Sequence, residues 1–348
     1  MKKPIIFIIL ISIIALTFTG CANNGDNVTE AAKEAEYQWK FAHEENNGSI
    51  QDVYAKEFKR VLEEKSDGRI HLDIYPVGQI GDATQQAELL QYGGIEFANI
   101  SPGNTGTIVP ENQLFSLHFL FSEDMEVNKE ILEESKALNE LLSEKYLEKN
   151  IKILSYWTEG AMEWTTSKEA NTPDKWKGLK FRTMPSPMIV ASYKAYGANP
   201  TPLPYMEVYS ALQLNMIQGQ ENPISAIEEM KFHEVQDYFI LGSSSIYATT
   251  TAVNPEFFEE LPNDIKEIVL ETIDELDDFA FDTQEQLNED ALEKIKESDV
   301  NVIELTSEER EEFRKEAEKA YQLYIDETGE DGEEILNTLM KEVENASK

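Results

Sequence analysis

Apolar and polar positions change rhythm along this chain, and the rhythm predicts its elements. Tyr37, Trp39 and Phe41 alternate with polar neighbours, which predicts a strand. Val53, Phe58, Val61 and Leu62 then share one face of a helix over about 50–65, and Ser66-Asp67-Gly68 ends it. Ile70, Leu72 and Ile74 alternate again as a second strand. A helix over about 83–92 stops at Gly93-Gly94, and 95–100 reads as a third strand. This β-α-β-α-β opening implies parallel strands and an α/β unit. A helix over about 127–149 leads to a strand over 151–156. After Gly160 the pattern restarts: strands over 162–166 and 178–183, helices over 187–196 and 205–214, and a strand over 246–253. From Asn263 to about Ser298 an apolar stripe (Ile265, Ile268, Val269, Ile273, Leu276) predicts one long helix. At 1.5 Å per residue it spans about 50 Å, enough to run across two units. A last charged helical stretch, 305–347, is interrupted near Gly329 and Gly332.

The first residues differ in kind. Lys2 and Lys3 precede an almost wholly apolar run from Pro4 to Thr19, followed by Gly20 and Cys21. A basic start, an apolar core and small residues before a cut site make an export signal. The run is shorter than the roughly 20 residues of a comfortable membrane span, an uncleaved anchor being the alternative. Cys21 is the only cysteine, and its setting resembles a bacterial lipobox, departing from it at Phe18, where leucine is preferred. The expectation is a lipid-anchored protein working outside the cytoplasmic membrane. Residues 22–35 are small and polar, a flexible spacer. Without residues 1–20, 328 residues remain, more than one compact core usually holds, so two domains are expected.

Charge narrows the partners. Lys and Arg number 30 against 67 Asp and Glu, a formal charge of −37 that becomes −39 without Lys2 and Lys3. Nucleic acid and anionic membrane are therefore poor partners. A solvated acidic surface accounts for the excess and is compatible with a salty habitat. His43, His71, His118 and His233 lack zinc spacing, so no metal or other cofactor is expected. No G-x-S-x-G or phosphate loop occurs. With so many carboxylates, no acidic pair singles itself out as a two-carboxylate hydrolase.

One segment, 176–225, carries a specific pattern: GLKFR, then a helix, then GANPTPLPYMEVYSALQ, then QGQENP. It resembles the signature of the extracytoplasmic solute-binding proteins of TRAP transporters, the DctP type. The likeness extends through EEKSDGRIHLDIYPVGQIG and ANISPG and covers most of the chain beyond the leader. The resemblance implies that the arginine of GLKFR, here Arg182, clamps a ligand carboxylate. It implies that the asparagine of QGQENP, Asn222, is a second carboxylate contact, and that Tyr205 packs on the ligand. The physics agrees: a guanidinium meets a carboxylate with a planar two-pronged fork and stays charged. Many acid-binding members carry a second arginine in G-x-R. Here that stretch is Gly160-Ala161-Met162, so the second fixed charge is missing at Met162.

A nearer likeness is to the ectoine-binding members, through AHEE (42–45), ISPG followed by TG (100–106), E-G-x-M (159–162) and PTPLP (200–204). The second glutamate of HEE, Glu45, matches the residue that meets ring nitrogens in that group, a single surface acid being its plain alternative. Tyr205 and Tyr247 match positions of an aromatic cage. Asn104 stands where that group has phenylalanine, and Ser225 and Ala226 stand where it has aromatics, so the cage is more open and more polar here.

The expected architecture is a two-domain α/β fold of the periplasmic-binding-protein kind, with a hinge and a long helix crossing both domains. Domain I comprises 36–159 plus about 248–285, and domain II comprises 160–247 plus about 286–348. The expected function is that of a non-enzymatic receptor. It would bind a small carboxylate or zwitterion, ectoine-like or a hydroxylated sugar acid, and hand it to the small and large membrane subunits of a TRAP permease. The alternatives are a C4-dicarboxylate receptor and, from another class, a secreted lipoprotein glycosidase. A cell-surface adhesin would not need the Arg182–Asn222 constellation.

Overall fold

The computed structural model describes residues 35–348. The leader, Cys21 and nearly all of the spacer lie outside the described residues.

The opening follows the sequence rhythm. Strand β1 (Tyr37–Ala42) lies between β2 (Ile70–Tyr75) and β3 (Phe97–Ile100), parallel to both. The helix Ile50–Lys65 connects the first pair and buries Tyr54, Phe58, Val61 and Leu62 against this sheet. Two more strands complete it: β10 (Ile246–Val253), antiparallel to β3, and β4 (Lys152–Ala161), antiparallel to β10. The order is β2-β1-β3-β10-β4.

The second sheet has the order β11-β9-β5-β8-β6-β7. Its members are β5 (Glu163–Thr166), β6 (Lys180–Thr183), β7 (Asn199–Pro202), β8 (Gly219–Asn222), β9 (Tyr238–Leu241) and β11 (Asn301–Glu304). An aromatic cluster underlies it. Trp176 stacks on Tyr193 with centroids 5.3 Å apart, and Trp164 meets Trp176 edge-on at 4.9 Å. Such pairs add roughly 0.5–1.5 kcal/mol beyond area burial and hold β5 and β6 in place.

The structure adds the short strands β8, β9 and β11, which no sequence expectation covered, and differs from that expectation in three further features. The helix expected over 127–149 is broken. Met125–Glu134 ends at Ser135, whose backbone is extended (φ −62°, ψ 126°) and whose Oγ accepts the Leu138 amide at 3.2 Å. The run resumes as a π-turn (Ala137–Leu142) and a short helix (Ser143–Glu148). β7 was missed because it holds Pro200 and Pro202; as an edge strand it tolerates residues that cannot donate to a ladder. The last helix, Ser307–Ala346, does not stay with the second sheet as the span 286–348 implied. Phe313 and Ala317 pack with Trp164 and Trp176, whereas Tyr324, Ile335, Leu336 and Leu339 pack with Leu138, Leu142 and Tyr146 of the first unit. Its Glu342 carboxylate accepts the Ser135 hydroxyl at 2.5 Å, and Asp331 pairs with Lys145 at 2.5 Å. The interruption falls at Gly329 (φ 69°, ψ −153°), a backbone shape that glycine adopts freely.

The long helix, Asn263–Lys296, does touch both units. Ile265, Val269, Ile273 and Leu276 pack under the first sheet, and Ile295 packs with Phe232 and Phe239 under the second. Two strand segments also cross. β4 passes into β5 through Gly160-Ala161-Met162, and β9 passes into β10 through 242–245, the Met162 amide donating to the Ser245 carbonyl at 2.8 Å. Among the described residues, no helix is long and apolar enough to span a membrane.

A charged cleft between the two units

A cavity of about 420 Å³ opens between the sheets. Six of the residues singled out in the sequence line it together: Glu45, Asn104, Arg182, Tyr205, Asn222 and Tyr247. Met162 does not. It sits in the apolar core with Trp164 and Phe119 and lines a separate void of about 30 Å³, which shares Met184 and Tyr247 with the cleft. The reason is local: Met162 begins the crossing into β5, where an unbranched apolar side chain fills space beneath the aromatic cluster.

The second unit supplies the cationic wall. Along β6, Phe181 joins the aromatic core and Arg182, the next residue, turns the other way toward the cleft, as strand alternation requires. Arg182 is 3% exposed, and its Nε donates to the Leu203 carbonyl at 3.0 Å. Among the described residues it forms no ion pair. Burial lowers its pKa, but a guanidinium starts so high that it stays charged. The nearby Glu221 does not cancel it. That carboxyl accepts the Tyr193 hydroxyl and is pushed by burial up to about 7. Asn222 ends β8, buried, with its amide donating to Gln220. Tyr205 is half-buried and meets Phe232 edge-on at 6.1 Å.

The first unit supplies the acidic wall. The chain leaves β1 at Ala42, and His43-Glu44-Glu45 turns beneath the N-terminus of the helix Ile50–Lys65. The Glu44 amide donates to Gln51 Oε1 at 2.9 Å. Glu44 accepts the Ser101 amide at 3.1 Å and Asn104 Nδ2 at 3.0 Å, so Asn104 belongs to this wall. Burial still pushes Glu44 up to about 7. Glu45 is 6% exposed, and its pKa is raised well above the ordinary value, first by burial and then by the charge of Glu159. Tyr247 is buried between the walls, and burial with three neighbouring carboxyls keeps its phenol neutral.

Sequence reasoning missed Glu44, Glu221, Met184 and the 77–84 turn as lining or neighbouring groups. Glu44 stood inside the AHEE motif, which is the signal that could have found it. Glu159 stood in E-G-x-M but was given no role of its own.

A two-lobed α/β receptor whose cleft sets a buried guanidinium opposite buried carboxyls is the class that fold and site define: a solute-binding protein. Residues 41–327 match the family described as bacterial extracellular solute-binding protein, family 7 (DctP). The chain belongs to this family, the extracytoplasmic solute receptors of TRAP transporters. It is 36% identical over 301 residues to the ectoine-binding periplasmic protein TeaA of Halomonas elongata, covering 86% of this chain and 88% of that one. It is 34% identical over 328 residues to the ectoine/5-hydroxyectoine-binding periplasmic protein UehA of Ruegeria pomeroyi, covering 94% and 96%. The solved structure of the ectoine-binding protein from the TeaABC transporter of Halomonas elongata superposes with a TM-score of 0.86 at 35% identity, covering 88% of this chain and 99% of that one.

Proposed function

We propose that this receptor binds a small solute with one carboxylate and, at its other end, a cationic or hydroxyl donor group; an ectoine-like zwitterion fits best. The observation that carries the reading is the opposite polarity of the two walls: Arg182 and Asn222 on one side, Glu44 and Glu45 on the other. Arg182 takes the carboxylate through its fork, Asn222 adds a neutral donor and Tyr205 packs on the ligand. Glu45 takes the donor group. Two relatives whose names state ectoine binding support the assignment. Asn104, polar and bound to Glu44, makes room for a hydroxylated ligand or sugar acid as the second reading.

A C4-dicarboxylate fits less well, because its second carboxylate would face Glu45 where screening is weak. Catalysis is not part of the proposal. We further propose that the units close on the ligand about the crossings at 160–162 and 242–245. The loaded form would then dock on the small and large permease subunits, with a lipid on Cys21 keeping the receptor at the membrane.

Titration calorimetry with ectoine, glucuronate and succinate tests the ligand class. Ectoine or glucuronate should bind at least tenfold tighter than succinate. Succinate binding tenfold tighter than both would overturn it.

A further inference from the structure

We propose that Glu45 and Glu159 hold one proton between them in the empty receptor and release it when a cationic N–H group enters, so that Glu159 decides which charge the cleft accepts. The inference rests on the reading above in one respect, that Glu45 faces the donor end of the ligand.

Hydrogen-bond accounting carries it. Glu159 is fully buried and does not line the cleft; it sits behind Glu45, which does. Glu159 Oε1 accepts Gln51 Nε2 and Thr249 Oγ1, each at 2.7 Å. Its Oε2 has no donor, and neither does the buried Oε2 of Glu45. The two side chains are close neighbours, and after burial Glu159 acts most strongly on the titration of Glu45. Ionised carboxylates are acceptors only, so two adjacent buried carboxyls with unmet oxygens satisfy each other only if one of them carries a proton.

Glu159 cannot swing away. Gln51 holds it from the first helix, Thr249 from β10, and the long helix holds its backbone through Asn288, whose Nδ2 donates to the Glu159 carbonyl at 2.7 Å. Gly160 permits that approach: a Cβ there would lie 2.6 Å from Asn288 Nδ2, and its φ is +110°. Glu45 is the member of the pair that can meet a ligand.

The surroundings reinforce proton retention. Glu44, on the same turn, and Glu229, on the helix Ile224–Glu229, are both held up to about 7. The phenols of Tyr205 and Tyr247 are pushed well above their usual value and stay neutral. Asp52, on the first helix, is engaged by Lys56, and His43 beside it is kept neutral, pushed by burial down to about 4. Arg182 lies on the opposite wall. Among the described residues, no Lys, Arg or His forms an ion pair with Glu45 or Glu159.

The exchange balances in charge. The carboxyl proton leaves to solvent and the ligand's N–H⁺ takes its place, its own proton retained. A neutral hydroxyl brings no charge and leaves the shared proton where it is. Ectoine affinity should therefore rise with pH, by up to about tenfold per unit, until the free pair ionises, while glucuronate affinity changes little.

The test is calorimetry of the whole receptor near neutral pH in buffers of different ionisation enthalpy, with ectoine and with glucuronate. Ectoine binding should release close to one proton and glucuronate binding close to none. In Glu159→Gln, checked for folding by its melting curve, release with ectoine should vanish and affinity should become flat with pH. A purely structural role would lower affinity without changing the proton count. Ectoine binding without proton release in the unmodified receptor, or with equal release in Glu159→Gln, overturns the proposal. If Glu159→Gln does not fold, the buffer series on the unmodified receptor decides alone. If ectoine fails to bind and glucuronate binds, the ectoine-like reading falls. The pair is then judged by carboxyl carbon-13 titration of the free receptor, where ionisation of both groups in the ordinary range overturns the shared proton.

Discussion

Glu159 and Glu163 are neighbours on the crossing from one sheet to the other, both buried and both pushed by burial up to about 7, yet they do different work. Glu163 is saturated from within. Its Oε2 accepts the Gly242 and Ser243 amides at 2.6 and 3.0 Å, and its Oε1 accepts the Ser243 hydroxyl at 2.9 Å. Arg310 clasps the same segment from the last helix, donating to the carbonyls of Gly242 and Ser243. Glu163 therefore pins one crossing segment to the other. Glu159 is satisfied on Oε1 only; its Oε2 has no donor, and its neighbour Glu45 lines the cleft. The displaced pKa does not tell scaffold from site; the unmet oxygen beside a cavity does.

The largest expected effect tests the whole set of buried and half-buried acids to which both belong. Glu44, Glu159, Glu163, Glu221, Glu229 and Asp277 are held up to about 7 in the fold. Unfolded, they titrate near 4, so between these values the folded state binds more protons. Their contribution is fully present below the unfolded pKa and is lost as pH rises through about 7. His43 and His118, pushed down to about 4 and about 3, act the other way and cost stability once pH falls below 6.5. The acids outnumber the histidines. The ligand-free receptor should thus melt at higher temperature at pH 5.5 than at pH 8, each acid adding at most about 1.4 kcal/mol per unit. Melting curves across that range check it, and a receptor most stable at pH 8 would break the account.

Glu163→Ala should come next. It strands the Gly242 and Ser243 amides, at about 1–3 kcal/mol for each buried group left unmet. Melting should drop by several degrees, while the proton count on ectoine binding stays as in the unmodified protein. A changed proton count would erase the distinction between the two glutamates.

Arg182→Lys tests the opposite wall. A point charge cannot copy the fork, and a charge-assisted hydrogen bond is worth roughly 1.5–3 kcal/mol. Affinity should fall tenfold or more by calorimetry, with little change in melting. Unchanged affinity would remove Arg182 as the anchor.

Much of this was legible before the structure, and the limits have physical causes. The β-α-β-α-β opening and the long helix show in local periodicity because each buries one face. Arg182 and Asn222 were legible because both stand in GLKFR and QGQENP, short polar motifs on buried strand ends. The pairing of Glu45 with Glu159 was not, since it joins residues far apart in sequence through a crossing strand. β7 was hidden by its prolines. The break at Ser135 depends on a partner, Glu342, at the other end of the chain. Met162 was misplaced because a gap in a motif says what is absent from a site and not where the replacing side chain goes.

The smallest effect concerns the rim of the acidic wall. Asn104 donates to Glu44 Oε2 and to Ser101 Oγ, each at 3.0 Å. Asn104→Phe removes both bonds, each worth about 0.5–1.5 kcal/mol net. It introduces an aromatic face, and a cation over such a ring gains roughly 0.5–2 kcal/mol. For ectoine the loss and the gain nearly offset, so affinity should move by no more than about fivefold. Glucuronate gains nothing from the ring and loses a polar contact surface, so its affinity should fall. The ratio of the two affinities by calorimetry is the measurement. A ratio shifted toward glucuronate would mean that Asn104 does not shape the donor end of the cleft, and that Glu44 and Glu45 act there alone.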